Sequence, residues 1–365
     1  MIATPPLLPD AGPLRWRDVV ETPAVLIDLD VVERNIRRCQ EQCDKLGVTV
    51  RPHIKTHKLP LLAHAQLAAG AVGVTAQKIG EAEVMADAGI DDILISYNIV
   101  GHRKLERLRH LAERCRLSVV ADSAEVVAGL ARTFADGKSE LGVLVECDTG
   151  MQRCGVLAPE AALELARQIS SSPGLRFAGV MTYPAPGQGN AAGEWLERVA
   201  GIIRSAGIEA EIVSSGGTPD LYAMKHHTSL TEYRPGSYIY NDRSLVTAGA
   251  CGPEDCALTV LTTVVSSPAR GRAIVDAGTK VLTSDLFGMS GYGMVLDRPD
   301  SSVTSLNEEH GRIEYGSEPM PSVGEFLRII PNHACVVSNM VDCVHLVRGE
   351  YYVRAEPVAA RGRIT

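Results

Sequence analysis

Short β-branched and aliphatic runs recur along the first two-thirds of the chain: AVLIDL (24–29), VTVRP (48–52), GVTAQ (73–77), DILISY (92–97), LSVVAD (117–122), GVLVECD (142–148), FAGVMTY (177–183) and AEIVSSGG (210–217). Between them the apolar positions fall at helical spacing. DVVERNIRRCQEQCDKLG sets Val31, Ile36 and Cys39 at that spacing and stops at Gly47, and GEAEVMADAG and SAEVVAGLARTFADG repeat the pattern with their own glycine stops. Strand and helix alternating in this way predict parallel strands joined by crossover helices. Eight such units, counted from residue 48 to LTEYRPG (230–236), predict a closed eight-stranded (β/α) barrel of the TIM type. An open doubly wound sheet fits less well, because no G-x-G-x-x-G follows the first strand.

After residue 250 the pattern changes. TVLTTVVSS, GRAIVDAG, KVLTSD, FLRIIPN, ACVVSNM and CVHLVRGEYYVRAEPVAARG read as strands punctuated by Gly, Pro, Asn and Asp, and the acidic stretch 296–322 as a hairpin excursion or solvated loop. The fold class expected is α/β: a barrel over 24–245 and a second, all-β domain built from 1–23 plus 246–365.

Composition removes several function classes. The 365 residues carry 36 Lys and Arg against 44 Asp and Glu, a net charge of -8, with 45% hydrophobic and 22% charged residues. Such a chain can form a large core. It lacks the basic run that nucleic acid or an anionic membrane would need, so neither is expected as a partner. No apolar stretch reaches the ~18 residues of a membrane span, and MIATPPLLPDAG has no basic segment followed by an apolar one, so the cytoplasm is expected. The nine cysteines are scattered without a CxxC pair and read mostly as reduced, buried thiols.

Catalytic groups of a parallel barrel stand where strands end. The first strand runs into Arg51-Pro52-His53-Ile54-Lys55-Thr56-His57-Lys58, either a solvated basic loop or a cluster whose mutual repulsion favours a reactive amine. The seventh ends in Ser214-Ser215-Gly216-Gly217-Thr218, a turn able to form a phosphate nest. The fifth supplies Arg153 and the sixth Tyr183. An imine-forming lysine, a phosphate cradle, an arginine and a tyrosine are what a pyridoxal 5'-phosphate site requires. His333-Ala334-Cys335, on a strand, would place imidazole and thiolate on one face, a pair suited to zinc but more often structural.

Taken in order, RPHIKTHK, AQKIGEAE (76–83), DTGMQRCGV (148–156), SSGGTP (214–219), EYRPGSYIYND (232–242), PNHAC (331–335) and ARGR (360–363) resemble the D-threonine aldolase and eukaryotic-type D-serine dehydratase family of alanine-racemase-like, fold-type III pyridoxal phosphate enzymes, from about residue 22 to the C-terminus. The resemblance implies Lys55 as the imine lysine, Gln77 and Arg153 near the cofactor ring and its phenolic oxygen, Tyr183 beside the ring, Ser215, Gly216, Gly217 and Thr218 around the phosphate, and Tyr240 as a phosphate or ring neighbour. His53, His57 and Lys58 become groups that tune the imine or plain strand-end polar residues. His333 and Cys335 align with a divalent-metal pair, for zinc, manganese or magnesium; the neighbouring Asp342, Cys343 and His345 read as core or supporting residues. Many aldolases of the family carry a histidine shortly after the tyrosine; Tyr183 is followed by PAPGQGN instead, which leaves the metal site, His57 or another residue to supply the base.

The activity implied is a metal-assisted lyase of D-3-hydroxy-amino acids, of the D-threonine aldolase type, with catalytic roles for Lys55, His57 and Arg153. A D-serine dehydratase type of reaction is the alternative. A racemase would not need the His-x-Cys pair, and a single-barrel cofactor carrier would end near residue 245. The resemblance also implies a homodimer acting on a small amino-acid substrate.

Overall fold

The computed structural model describes residues 7–137, 139–296, 298, 300–316 and 319–365. It divides into two compact units: Met1–Arg37, Thr56–Leu59 and Ser237–Arg361 form one, and Arg38–Lys55, Pro60–Gly236 and Gly362–Thr365 the other. The first strand, β1 (Ala24–Asp28), follows a short helix α1 (Trp16–Val19) and leads into α2 (Leu29–Leu46).

The second unit holds eight parallel strands: β2 (Thr49–Val50), β3 (Val74–Ala76), β4 (Asp92–Asn98), β5 (Arg116–Ala121), β6 (Leu141–Cys147), β7 (Leu175–Thr182), β8 (Ile212–Ser215) and β9 (Glu232–Tyr233). They run in the order β2-β9-β8-β7-β6-β5-β4-β3. The outer strands meet through a parallel bridge between His53 and Thr75, with the Thr75 N–H on the Pro52 carbonyl at 2.8 Å, so the sheet curls closed as the strand and helix periodicity implies. Helices α3 (Pro60–Ala68), α4 (Ile79–Asp87), α5 (His102–Ala112), α6 (Ala124–Phe134), α7 (Pro159–Ser170) and α8 (Gly189–Ser205) make the crossovers. Strand β6 is buried along its whole length, as a strand covered on both faces must be. Leu94, Val120, Leu144, Ala178 and Met181 pack together as one cluster. At Gly179 the register of β7 on β6 slips by a residue; a Cβ there would stand 1.8 Å from the Ile212 carbonyl oxygen, so only glycine fits.

Polar groups are also buried in this unit. Arg51 binds Asp92 at 2.7 Å and Glu232 at 2.6 Å, and the buried Arg234 donates to Ser214 Oγ and to the Thr182 carbonyl. Burial lowers the Arg234 pKa, against the attraction of Glu232 and Glu146.

The first unit is antiparallel apart from one strand pair. Its strands β10 (Leu258–Ala269), β11 (Arg272–Val275), β12 (Gly293–Val295), β13 (Ser301–Leu306), β14 (Gly311–Tyr315) and β15 (Phe326–Pro331) form a ring, closed because β11 pairs with both β14 and β10. On β10 lies β1, followed by β16 (Cys343–Arg348) and β17 (Tyr351–Pro357). This corrects the expected boundary at residue 24: β1 pairs with β10 and with β16, and Leu26 packs with Trp16, Leu261 and Val347, so 24–37 belong with the β unit.

Two other expectations change. KVLTSD begins in a short helix, α10 (Thr279–Leu282), after the five-residue α9 (Arg243–Thr247), and ACVVSNM is the helix α11 (Ala334–Met340). Pro331 ends β15 with no N–H for the ladder, and the Asp242 carboxylate then accepts the Ala334 N–H at 3.0 Å, which starts a helix in spite of the β-branched Val336 and Val337. Within 296–322, β13 and β14 form the expected hairpin; residues 297, 299, 317 and 318, like residues 1–6 of the N-terminal segment, lie outside the described residues. No helix among the described residues is long and apolar enough to cross a membrane. All nine cysteines are unbridged, but only Cys39, Cys43, Cys147 and Cys256 are buried, and Cys154 and Cys343 are exposed.

Candidate active site

In the barrel unit the residues implied by the sequence gather at strand ends. Lys55 stands in a 3-10 turn (Ile54–Thr56) just beyond β2, with its Nζ 5.7 Å from the centre of the Tyr183 ring. The Arg153 guanidinium lies 5.2 Å from the same ring, so two cations face one aromatic whose π face attracts both. Gln77 follows β3; its Oε1 lies 3.0 Å from His53 Nε2 and its Nε2 donates to the Ser96 carbonyl at 3.1 Å. A cavity of about 460 Å³ is lined by Gln77, Ser96, Asn98, Glu146 and Arg153 among others. Burial raises the Glu146 pKa, against the attraction of Arg153 and Arg234.

The turn after β8 requires glycine. Gly216 has φ +115°, and a Cβ there would meet the Tyr233 ring at 2.7 Å, while the Tyr233 hydroxyl donates to the Gly217 carbonyl at 3.0 Å. Gly217 lies against Tyr183, where an added Cβ would be 3.1 Å from the ring. Ser215 Oγ is buried without a hydrogen-bond partner, a cost a folded chain rarely leaves unmet, and Thr218 opens the 3-10 turn that follows. An orphaned hydroxyl in a glycine turn, beside a lysine, an arginine and an aromatic ring, fits pyridoxal phosphate.

In the β unit His333 caps α11 and Cys335 lies in its first turn, not on a strand; the two side chains nevertheless hydrogen-bond each other. His333 Nδ1 donates to Asp285 Oδ2 at 2.7 Å, and Cys335 Sγ is 3.2 Å from Thr56 Oγ1 and 3.7 Å from Ser237 Oγ. Burial opposes the charged imidazole, but Cys335, Asp285 and Asp242 outweigh it and push its pKa up to about 9. Imidazole and sulfur brought together, with a carboxylate fixing the ring, is a donor set that fits zinc. Among the described residues no three His, Cys, Asp or Glu side chains are placed to hold a metal ion together.

The remaining expected residues lie in the β unit. His57 is fully buried and its Nδ1 accepts the Leu59 N–H at 3.0 Å, so it braces a turn. Lys58 Nζ reaches the Ala360 carbonyl, within the β unit. Tyr240 is buried with its hydroxyl unpaired, and burial, then the Cys335 charge, raises its pKa. Asp342 pairs with Arg361 on the surface, Cys343 is exposed, and His345 lies 3.5 Å from the Tyr352 hydroxyl, so none of the three supports the His333 pair. Sequence reasoning missed Asp285, Asp242, Glu146 and Arg234. Only Asp242 carries a local signal, since it precedes Arg243-Ser244-Leu245 as a helix N-cap and accepts the Leu245 N–H.

Comparison with known proteins places these observations. The model of the alanine racemase N-terminal domain matches residues 27–244, and that of a putative serine dehydratase domain matches 257–347. The D-threonine aldolase of an Arthrobacter species is 34% identical over 99% of this chain and 97% of its own, and the D-threo-3-hydroxyaspartate dehydratase of Delftia sp. strain HT23 is 35% identical over 87% and 91%. The crystal structure of D-threonine aldolase from Filomicrobium marinum superposes with a TM-score of 0.86 over 95% of this chain and 97% of its own, at 34% identity. The hydroxyaspartate dehydratase has also been solved as a histidine-to-alanine mutant and as a cysteine-to-alanine mutant in the metal-free form, the two positions being two residues apart. Agreement of this extent, over both units of the fold, means that the chain belongs to the D-threonine aldolase and D-3-hydroxyaspartate dehydratase family, pyridoxal-phosphate-dependent lyases of alanine-racemase-like fold.

Proposed function

We propose that the protein is a metal-assisted, pyridoxal-phosphate-dependent lyase that cleaves D-3-hydroxy-amino acids in the manner of a D-threonine aldolase. The observation that carries this reading is the grouping of Lys55 and Arg153 on the Tyr183 ring, in the same unit as a glycine turn with the unpaired Ser215 hydroxyl. Bound there, the cofactor supplies an electron sink for the pair left on Cα, and a divalent metal at His333 and Cys335 supplies a Lewis acid for the β-oxygen.

The chain's own groups do the rest. Lys55 would hold the cofactor and would leave it as a free amine when the substrate amine takes its place. Ser215, Gly216, Gly217 and Thr218 would hold its phosphate, Gln77 and Arg153 would donate hydrogen bonds to it, and Tyr183 would help to hold it; the buried hydroxyl of Tyr240 is a further proposed donor. Asp285 fixes the His333 ring through Nδ1. In the reaction the Cα–Cβ bond breaks, the β-hydroxyl loses its proton as Cβ becomes an aldehyde, and Cα takes a proton to give glycine. The base for the β-hydroxyl proton is proposed to be the metal site or His57, whose Nδ1 accepts the Leu59 N–H.

A second reading is favoured by one feature. Cys335 stands two residues after His333, the spacing of the histidine and cysteine positions substituted in the solved dehydratase relative. There the Cα proton and β-hydroxyl leave, and hydrolysis of the enamine gives an oxo acid and ammonia. Incubation with D-threonine and with D-serine separates the two: glycine with acetaldehyde supports the aldolase, 2-oxobutyrate or pyruvate with ammonia the dehydratase, and no product from either sinks both. Chelation should abolish turnover, and zinc or manganese should restore it; full activity in a metal-free preparation removes the metal from the reading. A homodimer in the cytoplasm completes the proposal, the dimer being read by light scattering.

A further inference from the structure

His53 stands two residues before Lys55 and has no place in the chemistry above. It is 7% exposed and both ring nitrogens are engaged. Nδ1 accepts the Lys55 N–H at 3.3 Å. A nitrogen that accepts carries no proton, so the hydrogen of the neutral ring is on Nε2, which donates to Gln77 Oε1 at 3.0 Å, with Ser96 Oγ at 3.4 Å. The Gln77 amide is thereby oriented. Its oxygen takes the His53 hydrogen, one N–H goes to the Ser96 carbonyl, and the other is left for the cavity that Gln77 lines with Arg153. A reversed amide would set its NH₂ against the His53 N–H and its oxygen against the Ser96 carbonyl, two repulsive contacts in place of two hydrogen bonds.

We propose that His53 is a positioning residue: as a neutral imidazole it fixes the Gln77 amide as a hydrogen-bond donor to the cofactor and ties that amide to the backbone of the lysine that holds the cofactor. This rests on the reading that Lys55 and Gln77 touch the cofactor. Two substitutions separate the two ends of the bridge. In His53→Asn the side-chain oxygen still accepts the N–H two residues on, as in an Asx turn, but the shorter side chain does not reach Gln77. In His53→Gln an amide nitrogen reaches Gln77.

With holoenzyme, His53→Asn should move the cofactor absorbance band or the pH at which it titrates, and lower kcat roughly three- to tenfold, the worth of one hydrogen bond. His53→Gln should recover most of that loss. In a Gln77→Ala background His53→Asn should add nothing further, whereas a residue that merely supports the fold would add its full cost. If His53→Asn does not fold, His53→Ser keeps an acceptor for the Lys55 N–H, still falls short of Gln77, and is read alike. An unmoved band with kcat within twofold overturns the proposal, as does an equal loss in the Gln77→Ala background. Mapping the borohydride-trapped adduct keeps the failures apart: an adduct elsewhere than Lys55 removes the cofactor reading, and an adduct at Lys55 without the His53 effects removes only this proposal.

Discussion

The hydroxyl of Ser215 is buried, unpaired and set in a turn that Gly216 alone can make, because φ is +115° and the Tyr233 ring fills the space of a side chain. A hydroxyl so placed costs the empty protein and rewards an anion. Ser215→Ala should therefore leave the melting temperature of cofactor-free protein unchanged or raised, while weakening retention of pyridoxal phosphate about tenfold or more, the worth of a hydrogen bond to a charged group, read by absorbance titration. Equal affinity in the two proteins would remove Ser215 from the phosphate site. Lys55, Gln77, Arg153 and Tyr183 were legible because each lies within two residues after a run readable as a strand or inside an ordered motif. Asp285 and Asp242 were not, since they meet His333 and Ala334 across 48 and 92 residues, and no local pattern records a contact of that separation.

Helix α11 is the element where local preference and final structure part. Val336 and Val337 favour a strand, but Asp242 holds the Ala334 N–H with one carboxylate oxygen and the Leu245 N–H of α9 with the other. One side chain thus starts two helices, and the second sets the His333 and Cys335 spacing on a helical turn. Asp242→Ala should cost about 1–3 kcal/mol of stability, measured by urea denaturation, from the lost caps; a change below a few tenths would show that α11 forms without it. The barrel strands, by contrast, were readable as elements: each is a short apolar run followed by a helical pattern or glycine turn, so periodicity and topology agree. β1 has the same composition as those strands and pairs elsewhere, because composition says that a strand is buried and not in which sheet.

At the scale of the whole molecule, the carboxyl buried at the end of β6 couples stability to pH. Burial raises the Glu146 pKa above its ordinary 4.5, so the folded protein binds more protons than the unfolded chain between 4.5 and the raised value. Stability contributed by this group is greatest below 4.5 and is lost as pH rises through the raised pKa. In Glu146→Gln this loss is absent. The stability of the wild type relative to Glu146→Gln should therefore fall as pH is raised from 4.5 toward neutrality, measured by thermal unfolding across that range; a constant difference would show that the carboxyl titrates normally.

The chain changes unit at 37/38, 55/56, 59/60, 236/237 and 361/362, so neither unit is one continuous stretch of sequence. One of those junctions lies between Lys55 and Thr56, inside the motif that carries the proposed cofactor lysine. No single gene segment encodes either body. Recombination that exchanged one stretch between relatives would deliver part of a barrel together with part of a β unit, and a fragment such as 60–236 would lack β2 and with it a strand the sheet needs to close.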